Sequence, residues 1–298
     1  MTTTGDLISA SDYNTIRTKI VQVMGVGSGD RGYGQAVAST PVTSLVDRVT
    51  KAQWDALRFD IINARVHQIG EAPVMTIVSK TDPIRYGVNQ PNYQYDTLAT
   101  SADTDRKLVA NGQFILASAT NQTYSSAWAN SVACTVTATF STVDQARYFF
   151  NSGGKIRFTS SRTGGTSSQQ NDFWTGLLNA VGAQDFGISS AVGFYGLTTS
   201  YQTLYSSLHT YSSIYSSNSY TVQVKCDATG NARIVTFLIT WTDSYTDPGF
   251  PPPGDLVDGT LTLTVDEVRA YGTLLPDNIP GSFAVTRPAY SISSISGS

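Results

Sequence analysis

Residues 131–140, SVACTVTATF, alternate small or apolar side chains with threonine, and that two-residue period is the mark of a β-strand with one buried face. The same grammar recurs in YTVQVKCDA (220–228), ARIVTFLITW (232–241) and GTLTLTVDEVRAY (259–271). The first two of these flank DATGN, a turn sequence, and therefore read as an antiparallel hairpin. Helical punctuation interrupts the strands. STVDQARYFFNSGG carries Ser141 and Asp144 as a capping box and Gly153 as a stop, giving a helix near 142–152. NDFWTGLLNAVG gives another near 171–182, with Phe173, Trp174, Leu177 and Leu178 inward. Residues 129–298 thus read as a large antiparallel β-sandwich-like domain with inserted helices.

Upstream the period changes to that of a helix. Tyr13, Ile16, Ile20 and Val23 recur every three or four residues between Ser9 and Gly25. A second helix, about 51–69, opens on a Thr50/Gln53 capping box and closes at Gly70. It carries two apolar stripes, one of Trp54, Leu57, Ile61 and Ala64, the other of Phe59, Ile62, Val66 and Ile69. One helix cannot cover both, so the second needs a further neighbour: the C-terminal domain, or another subunit. Tyr13, Ile16, Ile20, Trp54, Leu57, Ile61, Phe59, Ile62 and Val66 are therefore the candidate subunit interface. Residues 1–70 form a helical docking segment, two helices joined by a glycine-rich loop. Residues 71–128 read as an irregular connector with edge strands, from APVMTIVSK through RYGVNQPNYQYDT to KLVANGQFILASAT. The fold class expected is α+β.

Composition restricts function. Charged residues are 14% of the 298, against about 25% in ordinary soluble domains, and the formal net charge is −3. A neutral, hydroxyl-rich surface has no electrostatic footprint for nucleic acid or an anionic membrane, so neither is expected as a partner. MTTTGDLISASDYN has neither the basic nor the apolar region of a secretory signal, which predicts synthesis in a cytoplasm. Cys134 and Cys226 read as buried thiols, with a bridge left open if their strands pair face to face.

The loop GVGSGDRGYGQ (25–35) contains G-x-G-x-x-G at Gly27, Gly29 and Gly32. That spacing cradles pyrophosphate only between a strand and a following helix. A helix precedes this one and none follows, so the loop reads as a flexible hinge through which the first helix reaches a neighbour, with Asp30, Arg31 and Tyr33 making contacts there. No cofactor is expected. His67, in a helix's last turn, and His209 are the two histidines, and neither neighbours a nucleophile elbow. Asp243, Asp247, Asp255 and Asp258 fit no calcium-loop template, and the adjacent Asp266 and Glu267 point to opposite strand faces, which is poor geometry for a glycosidase pair. Arg147, Arg157 and Arg162 read as surface or interface residues. No catalytic or metal residue emerges, and no enzyme activity is expected. The tyrosine-rich tract around TYSSIYSSNSY (210–220) offers a glycan platform as the alternative, with Tyr201, Tyr205, Tyr211, Tyr215, Tyr220 and Trp241 stacking on sugar rings.

SDYNTIRTKIVQVMGVGSGDRGYGQ (11–35), WDALRFDIINARVHQIG (54–70) and QARYFFNSGGKIRFTSSRTGG (145–165) resemble virion structural proteins of tailed bacteriophages, especially those of cyanobacterial and other aquatic phages. The resemblance implies a homo-oligomeric virion component of the tail, neck or baseplate, whose partners are its own copies and other virion proteins. Under the alternative it implies a fibre module meeting a host surface glycan. No binding residue is carried over from the family.

Overall fold

The computed structural model describes residues 9–43, 49–79, 91–208, 215–245, 256–273 and 282–297. They form an α+β protein with helices α1 (Ala10–Met24), α2 (Lys51–Ile69), α3 (Pro91–Thr104), α4 (Val143–Asn151) and α5 (Gln169–Val181). The strands are β1 (Phe114–Tyr124), β2 (Ser131–Thr139), β3 (Lys155–Thr163), β4 (Gln184–Phe186), β5 (Gln202–Leu208), β6 (Ser219–Cys226), β7 (Ile234–Thr242), β8 (Thr260–Thr273), β9 (Ser282–Ala284), β10 (Ala289–Ile292) and β11 (Ser296–Gly297). The chain divides into two compact units, Met1–Ile115 with Arg147–Gly154 and Arg269–Thr286, and Leu116–Ala146 with Lys155–Val268 and Arg287–Ser298. Set beside the expected division at 70 and 128, the first unit reaches Ile115, inside the connector, and takes in two later stretches.

In the first unit, α1 and α2 begin as their caps dictate. Ser9 with Asp12 and Thr50 with Gln53 each form a complete capping box, and Gly70 takes the left-handed conformation at φ 82°. The expected irregular connector contains α3, whose buried positions Tyr95, Ala99 and Ala102 share one helical face. Trp54 sits between Tyr13 and Tyr95, meeting both rings edge-on at 5.4 and 5.3 Å. Each such pair adds about 1 kcal/mol to the burial itself. Tyr13, Ile16, Ile20, Trp54, Leu57, Ile61, Ile62 and Val66 are all buried, while Phe59 is half-buried. Most of the candidate subunit interface is therefore interior to one chain: α3 packs on Trp54 of the first stripe, while Ile69 at the end of the second stripe is exposed. Through Ser79, APVMTIVSK belongs to no strand; Gln94 bonds Val74 O and Thr76 N, and the Tyr95 hydroxyl donates to Thr76 O.

The second unit is a sandwich of antiparallel sheets. One sheet has the order β10-β2-β7-β6-β5, with β11 also on β2; the other runs β1-β8-β3-β4, with β9 on the end of β8. In β2, β6 and β7 every second residue is buried, as the alternation requires. Phe237 of β7 packs on Phe158 of β3 and Phe186 of β4, at 4.7 and 5.2 Å between ring centres, joining the two layers. Phe173, Trp174, Leu177, Leu178 and Val181 of α5 are buried, and Trp174 packs edge-on against Trp128. The cap of α4 falls one residue later than expected, with Thr142 Oγ1 accepting from Gln145 N.

Cys134 and Cys226 are buried free thiols. Their strands do not pair with each other, because β7 lies between: Cys134 is opposite Ile239 and Cys226 opposite Val235. Two inter-strand steps, about 10 Å, exceed the reach of a disulfide. Thiol titration should find both cysteines protected in the native protein and both reactive after denaturation, without added reductant; fewer than two would contradict the strand order.

Candidate functional site

The glycine loop is the one segment with the spacing of a binding motif, so its geometry decides whether it is a site. Gly27, Gly29, Gly32 and Gly34 all have positive φ, and the chain they steer returns antiparallel to its own start. Tyr33 N donates to Val23 O at 2.9 Å, Gly34 N to Gly25 O at 2.9 Å and Gln35 N to Met24 O at 2.8 Å. Three of the glycines are sterically fixed. A Cβ on Gly27 would meet the backbone of Gln22, Arg31 and Gly32, one on Gly32 would overlap the Val26 carbonyl, and one on Gly34 would overlap the Tyr148 ring.

Such a path leaves carbonyl oxygens pointing inward, where each needs a donor. Two side chains, 116–122 residues further along, supply them. Arg147 donates to Val26 O, Gly29 O and Arg31 O at 3.0, 3.3 and 3.1 Å. Asn151 Nδ2 donates to Gly29 O, Arg31 O and Gly32 O at 3.2, 3.0 and 3.2 Å. The outer side is pinned by ion pairs: Asp30 with Arg106 and Lys107, and Arg31 with Asp103 through two bonds of 2.6 and 2.9 Å. Hydrogen bonds from Arg106 and from Arg31 hold the Asp30 and Asp103 carboxyls below the ordinary range.

This polarity answers the nucleotide question. A phosphate cradle presents converging N–H groups, whereas this loop presents converging carbonyls already occupied by a guanidinium and an amide. It is also not a hinge. Asp30, Arg31 and Tyr33, expected to reach a neighbour, are bonded inside the unit, with the Tyr33 hydroxyl donating to Arg106 O and accepting from Gln68. A groove of about 600 Å³ runs beside the loop along Val21, Val26, Gly34, Val37 and Tyr148. No charged side chain lines it, and its hydroxyls are those of Ser28 and Tyr148.

His67 is fully buried beneath this loop. Its ring stacks on Phe283 at 4.0 Å, meets Tyr33 edge-on, and its Nε2 lies 3.1 Å from Ser152 O. Burial drives its pKa down from 6.5 to about 4, the bond to Ser152 opposing weakly. The imidazole is therefore neutral. His209 lies outside the described residues.

The remaining candidates are consumed structurally. Asp258 accepts from Thr166 N and Oγ1, from Asn171 Nδ2, and lies 3.5 Å from Arg162. The Asn171 bond leads the causes that lower its pKa. Asp243 is bonded by Gln170; Asp247 and Asp255 lie outside the described residues. Among the described residues no cluster of three potential metal ligands occurs. Glu267 is buried and paired with Arg287 at 2.6 Å, while its neighbour Asp266 stands opposite Arg157 on the other strand face. Arg157 itself chelates Asp185 through bonds of 2.7 and 2.9 Å, so none of the three arginines is an uncommitted surface group. The glycan platform does not form as expected: Trp241 and Tyr220 are fully buried and Tyr215 nearly so, packed on Phe173 and Tyr245. Tyr201 and Tyr205 retain exposure, and Tyr211 lies outside the described residues.

No family model, curated protein or solved structure matches the chain.

Two predictions follow from this geometry. Gly34→Ala should destabilise the protein by about 2 kcal/mol or more, since it combines a strained φ with overlap on Tyr148; urea denaturation would measure it, and a neutral result would mean the loop yields freely. His67 titrates with an unfolded pKa near 6.5 and a folded one of about 4, so its stabilising neutrality is complete above 6.5 and lost as pH falls toward 4. Between pH 7 and 4.5 the wild type should lose about 2 kcal/mol more than His67→Phe, and equal losses would show the ring is not buried.

Proposed function

We propose that the chain is a non-enzymatic structural protein of a tailed bacteriophage virion, present in multiple copies in the tail, neck or baseplate. The observation that carries this reading is where the polar chemistry goes. Arg147, Asn151, Asp30, Asp103, Asp243, Asp258 and Glu267, the residues from which a site would be assembled, are bonded to the protein's own backbone and side chains. They hold a shape and converge on no vacant reaction centre. A chain organised this way contributes through its surface, and that surface is low in charge and rich in hydroxyls, as suits repeated packing in a symmetric assembly. The phage-like strings at 11–35, 54–70 and 145–165 give the assembly its context.

No helix among the described residues is long and apolar enough to cross a membrane. Under this reading the chain's partners are other copies of itself and other virion proteins. Mass spectrometry of gradient-purified particles should recover its peptides at a fixed multiple-copy ratio to the major virion proteins. Recovery confined to the unassembled lysate fraction would overturn the proposal.

A further inference from the structure

Sheet edges are where a β-protein invites another chain, and natural sheets blunt them by shortness, bulges, prolines or charge. In the second unit, most edges are blunted in this way. β4 is three residues long, β10 and β11 are four and two, and β5 breaks register between Thr203 and Tyr205. β1 is different. It is the terminal strand of its sheet, eleven residues long, and FILASATNQTY contains no charge, proline or glycine. None of its residues is buried, and Leu116 is 53% exposed. Among the described residues no strand pairs with its outer edge; the Ser118 carbonyl accepts a long bond, 3.4 Å, from Arg287.

The sequence of this edge says what fits it. We propose that Leu116–Tyr124, the part of β1 in the second unit, pairs antiparallel with the same segment of a second copy, about a two-fold axis at Thr120. In that register Leu116 faces Tyr124, Ala117 faces Thr123, Ser118 faces Gln122, Ala119 faces Asn121, and Thr120 faces itself. The ends are aliphatic–aromatic pairs, the centre is a Thr–Thr pair, and the rest match small side chains with hydrogen-bonding ones. The central Thr–Thr pair is a favourable cross-strand combination, Leu116 and Tyr124 bring apolar area together at each end, and no position opposes like charges. A charged foreign strand would gain nothing from a segment without charge, whereas the segment is complementary to itself. The paired edge would extend about 30 Å and join β4-β3-β8-β1 of each copy into one eight-stranded sheet.

This inference rests on the assembly reading and names a surface for it. The test is sedimentation of the full chain. Wild type should form a dimer that Thr120→Lys and Thr120→Glu each weaken by about tenfold or more, because each sets like charges opposite one another at the axis. Mixing the two variants should restore association. Thr120→Cys should crosslink to a covalent dimer on oxidation, while Leu208→Cys, exposed on β5, should not. Circular dichroism verifies that each variant is folded, and the crosslinking stands if a charged variant is not. Association unaffected by both charges, with no Thr120→Cys crosslink, would overturn the β1 interface while leaving the assembly reading intact. A wild type monomeric at every concentration would also overturn the β1 interface, and particle mass spectrometry alone would then decide the assembly reading.

Discussion

A backbone that turns on left-handed glycines aims its carbonyls into its own interior, and those oxygens must be satisfied from somewhere. Here the donors are Arg147 and Asn151, and the first unit is organised around that requirement. α1 and α2 place the loop, α4 supplies the donors, and the last turn of α3 with the residues after it closes the rim through Arg31–Asp103 and Asp30–Arg106. At roughly 1 kcal/mol net for each satisfied bond, with a larger penalty for each inward carbonyl left bare, the clamp is comparable to a sizeable share of a domain's whole stability. Beneath it His67 remains neutral because water is excluded, so the same closure that satisfies the loop sets the protonation of the unit's interior.

The second unit obeys a simpler rule. Alternation along β2, β6 and β7 puts Val, Ile, Phe, Trp and both cysteines on one face, and the opposing sheet meets them with Phe158, Phe186, Leu261, Leu263 and Val265. Two of the charged groups drawn into this unit's interior, Arg162 and Glu267, each have an ionic partner from an adjoining loop. An unpaired charge in such a layer would cost several kcal/mol, so the loops bearing Asp258 and Arg287 are constrained by the core beneath them.

What the sequence made legible follows the range of each signal. The capping box of α2, the strands β2, β6, β7 and β8 and the hairpin at DATGN are local, and they stand where the pattern placed them, while the cap of α4 falls one residue late. α3 was hidden because its buried face is two alanines and one tyrosine behind a proline, too little apolar bulk to register as a period. The glycine loop was misread for a deeper reason: glycine permits a flexible joint and a clamped one equally, and what distinguishes them lies more than a hundred residues away. Tyrosine spacing likewise could not say which rings face solvent, since Tyr205 and Tyr220 differ in burial while both lie on strands.

The long separations in the first unit also have a temporal side. A chain leaving the ribosome exposes α1 and the glycine loop well before Arg147 and Asn151 exist, and earlier still before Phe283, which stacks on His67. Local helices form early, but contacts this distant carry a loop-closure cost that no neighbouring residue offsets. The glycine loop is therefore synthesised well before the residues that complete its unit, and that unit closes only once the stretch bearing Phe283 has been added.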